Sequence, residues 1–169
     1  GTVRKTLTAT TASTNFDEAS YSDYRGYPQA ITFHEDRLWL GGTISQPDAI
    51  WSSKTGEYFN FDVGSAGDSD SIQITINVGE FNNIRHLTAN RDLQIFTTTS
   101  ELYIPSFADK GLTPTNAQIR RQTPYGASFV RPLPFDGATI YVEKTGKTVR
   151  EFLFSDKESA YVSTPLSLI

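Results

Sequence analysis

Three stretches of the chain share one arrangement of apolar and polar positions. The first runs Ala30-Ile-Thr-Phe-His-Glu-Asp-Arg-Leu-Trp-Leu-Gly-Gly42 and continues to Ile50, Trp51 and Ser52. The second runs from Ile84 to Thr97 and continues from Glu101 to Ile104. The third runs from Phe129 to Val142 and continues from Val149 to Phe154. Each reads as an apolar strand, a tight turn, a second strand of alternating pattern and, after a short connection, a third strand. The turns fall on Glu35-Asp36, Asn90-Arg91-Asp92 and Asp136-Gly137. Asp and Asn tolerate left-handed backbone and Gly adopts it freely, so these are hairpin turns. The second strands centre on Leu38 and Leu40, Leu93 and Ile95, and Ile140 and Val142, and these six side chains are expected to be buried at equivalent positions.

Alignment on Leu38, Leu93 and Ile140 spaces the units 55 and then 47 residues apart (93 − 38 and 140 − 93). A repeat of that size, made of three or four consecutive strands, is what a β-propeller blade requires. The fold class expected is therefore all-β and β-propeller-like, with about three consecutive antiparallel blade or hairpin units. Three unrelated hairpins in a sandwich or barrel are the alternative. Three blades do not close a ring, because propellers use about 4–8. The units then belong to a partial propeller, an open stack or a fragment, with a partner to cover edges that would otherwise invite aggregation.

The rest of the chain is organised around this core. Residues 1–27 form a Thr-rich lead-in, with a strand expected from Thr2 to Thr11 and an irregular polar linker after it. Residues 28–169 form the propeller-like domain. Two connections leave the pattern, Gly64 to Ser71 and Pro105 to Asn116. The last segment, Tyr161 to Ile169, is apolar, and Pro165 is expected to interrupt any strand there. Such a tail is expected to pack against a neighbouring subunit or further parts of a parent protein.

Composition narrows the function classes. The 169 residues include no cysteine, which excludes a disulfide scaffold, a thiolate zinc site and a cysteine nucleophile. The net charge of −4 gives none of the basic footprint of a nucleic-acid binder. No apolar run approaches the ~20 residues of a membrane-spanning helix, so no membrane-spanning segment is expected, nor a secretory signal. Methionine is absent even at position 1, which suggests an excised or processed piece of something longer.

Several residues invite a chemical reading, and each has a plainer one. His34 and His86 sit at strand ends in corresponding units and could begin a metal or acid–base site; such residues also close hairpins with a hydrogen bond. Asp68 and Asp70 alternate with Ser69 and Ser71 in a glycine-containing loop suited to a hard cation, but the ligand array of an EF-hand is missing. Asp36, Asp92 and Asp136 recur at turns. Glycosidases need two facing carboxylates, whereas turn formation explains the recurrence without chemistry. Trp39, Trp51, Tyr58, Phe59 and Phe61 could form a sugar-stacking platform, or pack between sheets as propeller aromatics do. Arg120-Arg121 is an isolated basic pair. Gly41-Gly42 lacks the further glycine and the helix that phosphate binding needs. No catalytic, cofactor or metal site is expected, and the chain is not expected to be an enzyme.

The segment from Gly26 to Thr43, followed by Gln46-Pro-Asp-Ala-Ile-Trp-Ser-Ser-Lys-Thr-Gly-Glu-Tyr-Phe-Asn-Phe61, resembles the tail nozzle (tail tubular protein B) family of short-tailed phages. Leu112-Thr-Pro114 leading into Tyr125-Gly126, and Ile140 to Phe152 with Tyr161 downstream, resemble the same family. The likeness covers about residues 20–169, and Arg37-Leu-Trp-Leu-Gly-Gly42 is its most specific part. Family chains continue past the counterpart of Pro165 to Ile169, in keeping with a fragment.

The resemblance implies a structural virion protein of the phage tail: a ring of identical subunits, six of them, at the distal tail end. Propeller-like domains would surround a channel for DNA during ejection, in contact with other tail proteins. An acidic wall suits passage without binding, because every neutralised phosphate adds affinity. A receptor- or glycan-binding tail domain is the alternative, and a propeller-type glycan-cleaving enzyme stands third.

Overall fold

The computed structural model describes residues 21–77, 82–107 and 109–168. The strand expected between Thr2 and Thr11 lies outside the described residues. The chain is all-β, with twelve strands and no helix among the described residues. Four consecutive strands form each of three antiparallel sheets. The first sheet holds β1 (Ala30–His34), β2 (Arg37–Gly41), β3 (Ala49–Ser52) and β4 (Gln73–Thr75). The second holds β5 (Ile84–Ala89), β6 (Leu93–Thr97), β7 (Glu101–Ile104) and β8 (Arg120–Thr123). The third holds β9 (Leu133–Phe135), β10 (Ala138–Val142), β11 (Thr148–Ser155) and β12 (Ala160–Leu168).

Local chemistry sets the hairpins. Glu35 and Asp36 both have positive φ, 47° and 55°, between the paired residues His34 and Arg37. Asp136 and Gly137 repeat this, at 48° and 77°, between Phe135 and Ala138. Two left-handed residues make the turn whose twist matches that of the strands it joins. Glu35 is an unusual residue there, and its Oε2 accepts a hydrogen bond from the Leu112 amide at 2.6 Å, which ties the turn to the second sheet's long connection. The second unit uses the three residues Asn90 to Asp92 between Ala89 and Leu93. As expected, β2, β6 and β10 occupy the same, second position in their sheets.

The sheets stack in sequence order around two apolar layers. Ala30, Trp39, Ile50, Leu93, Ile95 and Leu102 lie in the layer between the first and second sheets. Phe96, Tyr103, Tyr141, Phe152 and Tyr161 fill the layer between the second and third, with Phe152 and Tyr161 stacked at 4.6 Å. Side chains alternate across a strand, so β6 sends Leu93 and Ile95 one way and Phe96 the other. Every residue of β6 and β7 is buried. The stack of three sheets is propeller-like; a closed ring is not formed by these three alone.

Three expectations need correction. In the outer units the alternating side chains face the other way. Trp39 and Tyr141, at 0% and 2% exposure, enter the apolar layers. Leu40, Ile140 and Val142 are only half-buried, and Leu38 is buried on the outward side with its partner Phe33. A one-residue shift moves a whole strand pattern to the other face, and Trp39 lies between the two leucines. Second, the first strand of the third unit begins at Leu133, not Phe129. Phe129 and Val130 are exposed, and the prolines at 132 and 134 leave only a short edge strand. Third, Pro165 does not end the final strand. β12 lies at the sheet edge and pairs with β11 throughout, with Arg150 opposite Pro165 and Val149 opposite Ser167. Leu166 is the extra residue of a bulge, and an edge strand tolerates the missing amide. The segment is thus a strand of the chain's own third sheet, and Tyr161 is buried in the layer beneath it.

Candidate functional site

The residues that suggested chemistry are dispersed, and His34, His86, Asp92 and Trp39 among them hold the sheets together. His34 Nε2 lies 2.8 Å from Ser106 Oγ, in the joint between the first and second sheets. His86 Nε2 lies 3.0 Å from the Ser128 carbonyl, on the way to the third. Burial lowers the pKa of both imidazoles. Each histidine closes a different joint, and they do not share a site.

The acidic loop carries its own cation. Asp70 Oδ1 pairs with Lys54 Nζ at 3.0 Å, and its Oδ2 accepts the amides of Gly67 at 2.9 Å and Ser65 at 3.1 Å. Hydrogen bonding to Lys54 and then to the Gly67 amide holds this carboxyl below its usual pKa. The buried Arg37 guanidinium donates to the carbonyls of Ser53, Asp68 and Asp70 at 2.9, 2.7 and 2.6 Å. The Asp70 carboxylate thus faces an ammonium, and the backbone carbonyls of Asp68 and Asp70 face a guanidinium. Among the described residues no group of three or more His, Asp or Glu is placed to hold a metal ion.

The turn aspartates have three different settings. Asp36 accepts from the Tyr58 hydroxyl at 2.7 Å on the surface. Asp136 is exposed beside Gly137. Asp92 is buried, its Oδ1 accepting the Ser106 amide and its Oδ2 the Tyr161 hydroxyl, both at 2.8 Å. It thereby joins the second sheet to the third.

The aromatic concentration divides in the same way. Trp39 is fully buried and donates from Nε1 to the His34 carbonyl at 3.1 Å. Trp51 is 5% exposed under the edge of Tyr21. Phe59 projects fully, and Tyr58 is half-covered against Phe33. Arg120 and Arg121 lie exposed on β8.

The motif Arg37 to Gly42 is a structural joint. Arg37 anchors the acidic loop and Trp39 fills the first layer, while a Cβ on Gly41 would meet Ile84 Cγ2 at 3.1 Å. Gly42 has φ +64°, and its Cβ would come within 3.1 Å of the Ile84 carbonyl oxygen. Glycine is required there for close passage of the first sheet over the second.

Sequence reasoning did not single out Glu101, the first residue of β7. The third sheet covers its face of the strand. Glu101 is fully buried, accepting the Thr123 hydroxyl at 2.5 Å and the Tyr125 amide at 3.3 Å. Burial raises its pKa above the usual 4.5 despite these hydrogen bonds. Burial and then the Glu101 charge raise the Tyr141 phenol. A raised carboxyl binds its proton more tightly in the folded state. Its contribution is therefore complete below pH 4.5 and is lost as pH rises through the folded value. Glu101→Gln keeps the shape and carries no charge to bury. It is expected to raise the urea midpoint at pH 7 and to lose that advantage near pH 4. Equal midpoints for both proteins at pH 7 would show that the charge is accommodated.

What remains is surface. Residues opposite one another on paired strands point to one side, so Ile31, Leu40 and Trp51 share the first sheet's outward face, and Phe33 and Leu38 share it beside them. Ile31 and Phe33 are 59% and 60% exposed. The outward face of the third sheet carries Leu133, Phe135, Ile140 and Leu153, with Leu133 and Phe135 at 62% and 64%. Leu38 and Trp51 are themselves buried, so the open apolar side chains of the first face are Ile31 and Phe33 on β1; exposed apolar side chains grouped on one face mark interaction surfaces.

Among the described residues no helix is long and apolar enough to cross a membrane. No protein-family model matches the chain, and a search of curated proteins finds no match either.

Proposed function

We propose that the chain is a structural virion protein, a subunit of a phage tail nozzle that works by stacking its sheets against neighbouring ones around a DNA channel. The observation that carries the structural reading is the open apolar side chains at opposite ends of the stack, Ile31 and Phe33 on the first sheet and Leu133 and Phe135 on the third. A protein that acts by assembly needs such faces, and both histidines and Asp92 are occupied with joining sheets. The assignment to a tail nozzle rests on the resemblance of the segments from Gly26 to Phe61 and from Ile140 to Phe152. The net charge of −4 suits a conduit that lets DNA pass. The glycan-binding alternative is weaker, because within the aromatic cluster from Trp39 to Phe61 both tryptophans are buried and Phe59 is the one ring that projects fully.

Gold-labelled antibody against the chain is expected to mark the distal tail end of purified short-tailed particles. Labelling confined to the capsid, or none on intact and disrupted particles, overturns the tail assignment.

A further inference from the structure

We propose that Arg85, His86 and Arg131 form a binding site for a doubly charged phosphate-class anion, where β1 and β5 meet the segment leading into the third sheet. The inference rests on this geometry and not on the location in a tail.

A bulge builds the cluster. Ile84 pairs with Thr97 and His86 with Phe96, which are neighbours on β6, so Arg85 is the extra residue of β5. In a regular strand Arg85 and His86 would point to opposite faces. Here both reach one segment. The Arg85 guanidinium lies 3.5 Å from the centre of the Phe129 ring, and His86 Nε2 lies 3.0 Å from the Ser128 carbonyl. A carbonyl only accepts, so Nε2 carries the proton. Arg131 follows in the same segment and meets His86 across a recess of about 260 Å³, with Gln29 and Ile31 on its other walls.

The charge gathered here is positive and unbalanced. Neither Arg85 nor Arg131 pairs with a carboxylate among the described residues. The Arg85 Nε is buried with no acceptor, an uncommon state for a buried donor. Burial lowers the His86 pKa, the bond to Ser128 opposes this, and the charges of Arg85 and Arg131 lower it again. The imidazole is therefore neutral at pH 7, and the two guanidiniums set the charge of the site. A guanidinium fork matches carboxylate and phosphate alike. Two of them favour the more highly charged ligand, and a phosphate monoester carries about −1.5 to −2 at pH 7. The recess is smaller than the roughly 300–1,000 Å³ of sites for drug-sized ligands, which suits a small anion.

Titration with inorganic phosphate, followed by NMR of the two histidine rings, tests the site. The His86 signals are expected to shift saturably, and its pKa to rise in the bound state, because a nearby anion favours the imidazolium. His34 should not respond, and sodium chloride at matched ionic strength should reproduce neither change. Arg131→Gln, at an exposed position, and Arg85→Lys, which keeps the charge without the fork, are each expected to weaken binding by about 10-fold or more. Arg91→Gln removes an exposed arginine from the turn after β5 and should leave binding unaltered. Melting of Arg131→Gln is expected to match the parent protein, so the test stands even if Arg85→Lys melts early. Glycerol 3-phosphate separates two sources of the same group. Binding as tight as that of phosphate assigns a phosphoryl group carried by a larger molecule, and its rejection assigns the free ion. Absence of a saturable His86 shift, a shift equalled by chloride, or unchanged affinity in Arg131→Gln overturns the inference. Equal binding of dimethyl phosphate also overturns it, since that singly charged diester would put a nucleic-acid backbone in place of the dianion.

Discussion

Trp39→Ala is expected to lower the unfolding free energy by about 3–5 kcal/mol. Its ring is fully buried between the first two sheets, among Ile50, Leu93 and Ile95, and its Nε1 donates to the His34 carbonyl at 3.1 Å. Truncation removes the ring's transfer energy, opens a cavity between two β-layers that cannot easily collapse, and leaves a carbonyl without its donor. Domains of this size are stable by about 5–15 kcal/mol, so the variant approaches the margin of folding. Leu40→Ala, one residue along β2 on the outward face, is the control and should cost much less. Urea unfolding of both decides the matter. Equal losses would mean that the first sheet is not oriented as described.

Asp92→Ala is expected to cost about 3 kcal/mol, from two buried donors left unsatisfied at roughly 1–3 kcal/mol each. The Ser106 amide and the Tyr161 hydroxyl both lose their acceptor, and the second and third sheets lose a tie. Asp36→Ala and Asp136→Ala are expected to stay within about 1 kcal/mol, because left-handed turn preference changes at these surface positions and Asp36 loses only an exposed hydrogen bond from Tyr58. The comparison separates three aspartates that look alike in the sequence. A loss at Asp92 no larger than at the other two would remove its joining role.

The repeat was legible because turn chemistry and strand alternation agree. Glu35-Asp36 and Asp136-Gly137 mark the hairpins correctly, and the second strands fall where the 55- and 47-residue spacing puts them. Facing was not legible. Leu38 and Leu40 outweigh Trp39 in a binary pattern, and a sheet apolar on both sides carries no signal of which side meets its neighbour. The fourth strands β4 and β8, Gln73 to Thr75 and Arg120 to Thr123, are short polar edges with no apolar pattern. The burial of Glu101 depends on a sheet formed more than 30 residues later in the chain (133 − 101 = 32), which no local window contains. Of the candidate site, the aromatic cluster and the aspartates were visible as residues, but their division between joints and surface follows from stacking alone.

Each sheet is folded from neighbouring sequence and, among the described residues, packs on the sheet before or after it, so the three units form a linear array. In such an array stability is a sum of unit terms and contact terms. The middle unit has two contacts and each end unit one. Local opening therefore begins at the ends, and amide hydrogens on β6 and β7 exchange last, close to the free energy of global unfolding. The surfaces that face outward belong to the units that open most readily. Whatever covers them also slows that opening, and so lengthens the lifetime of the fold.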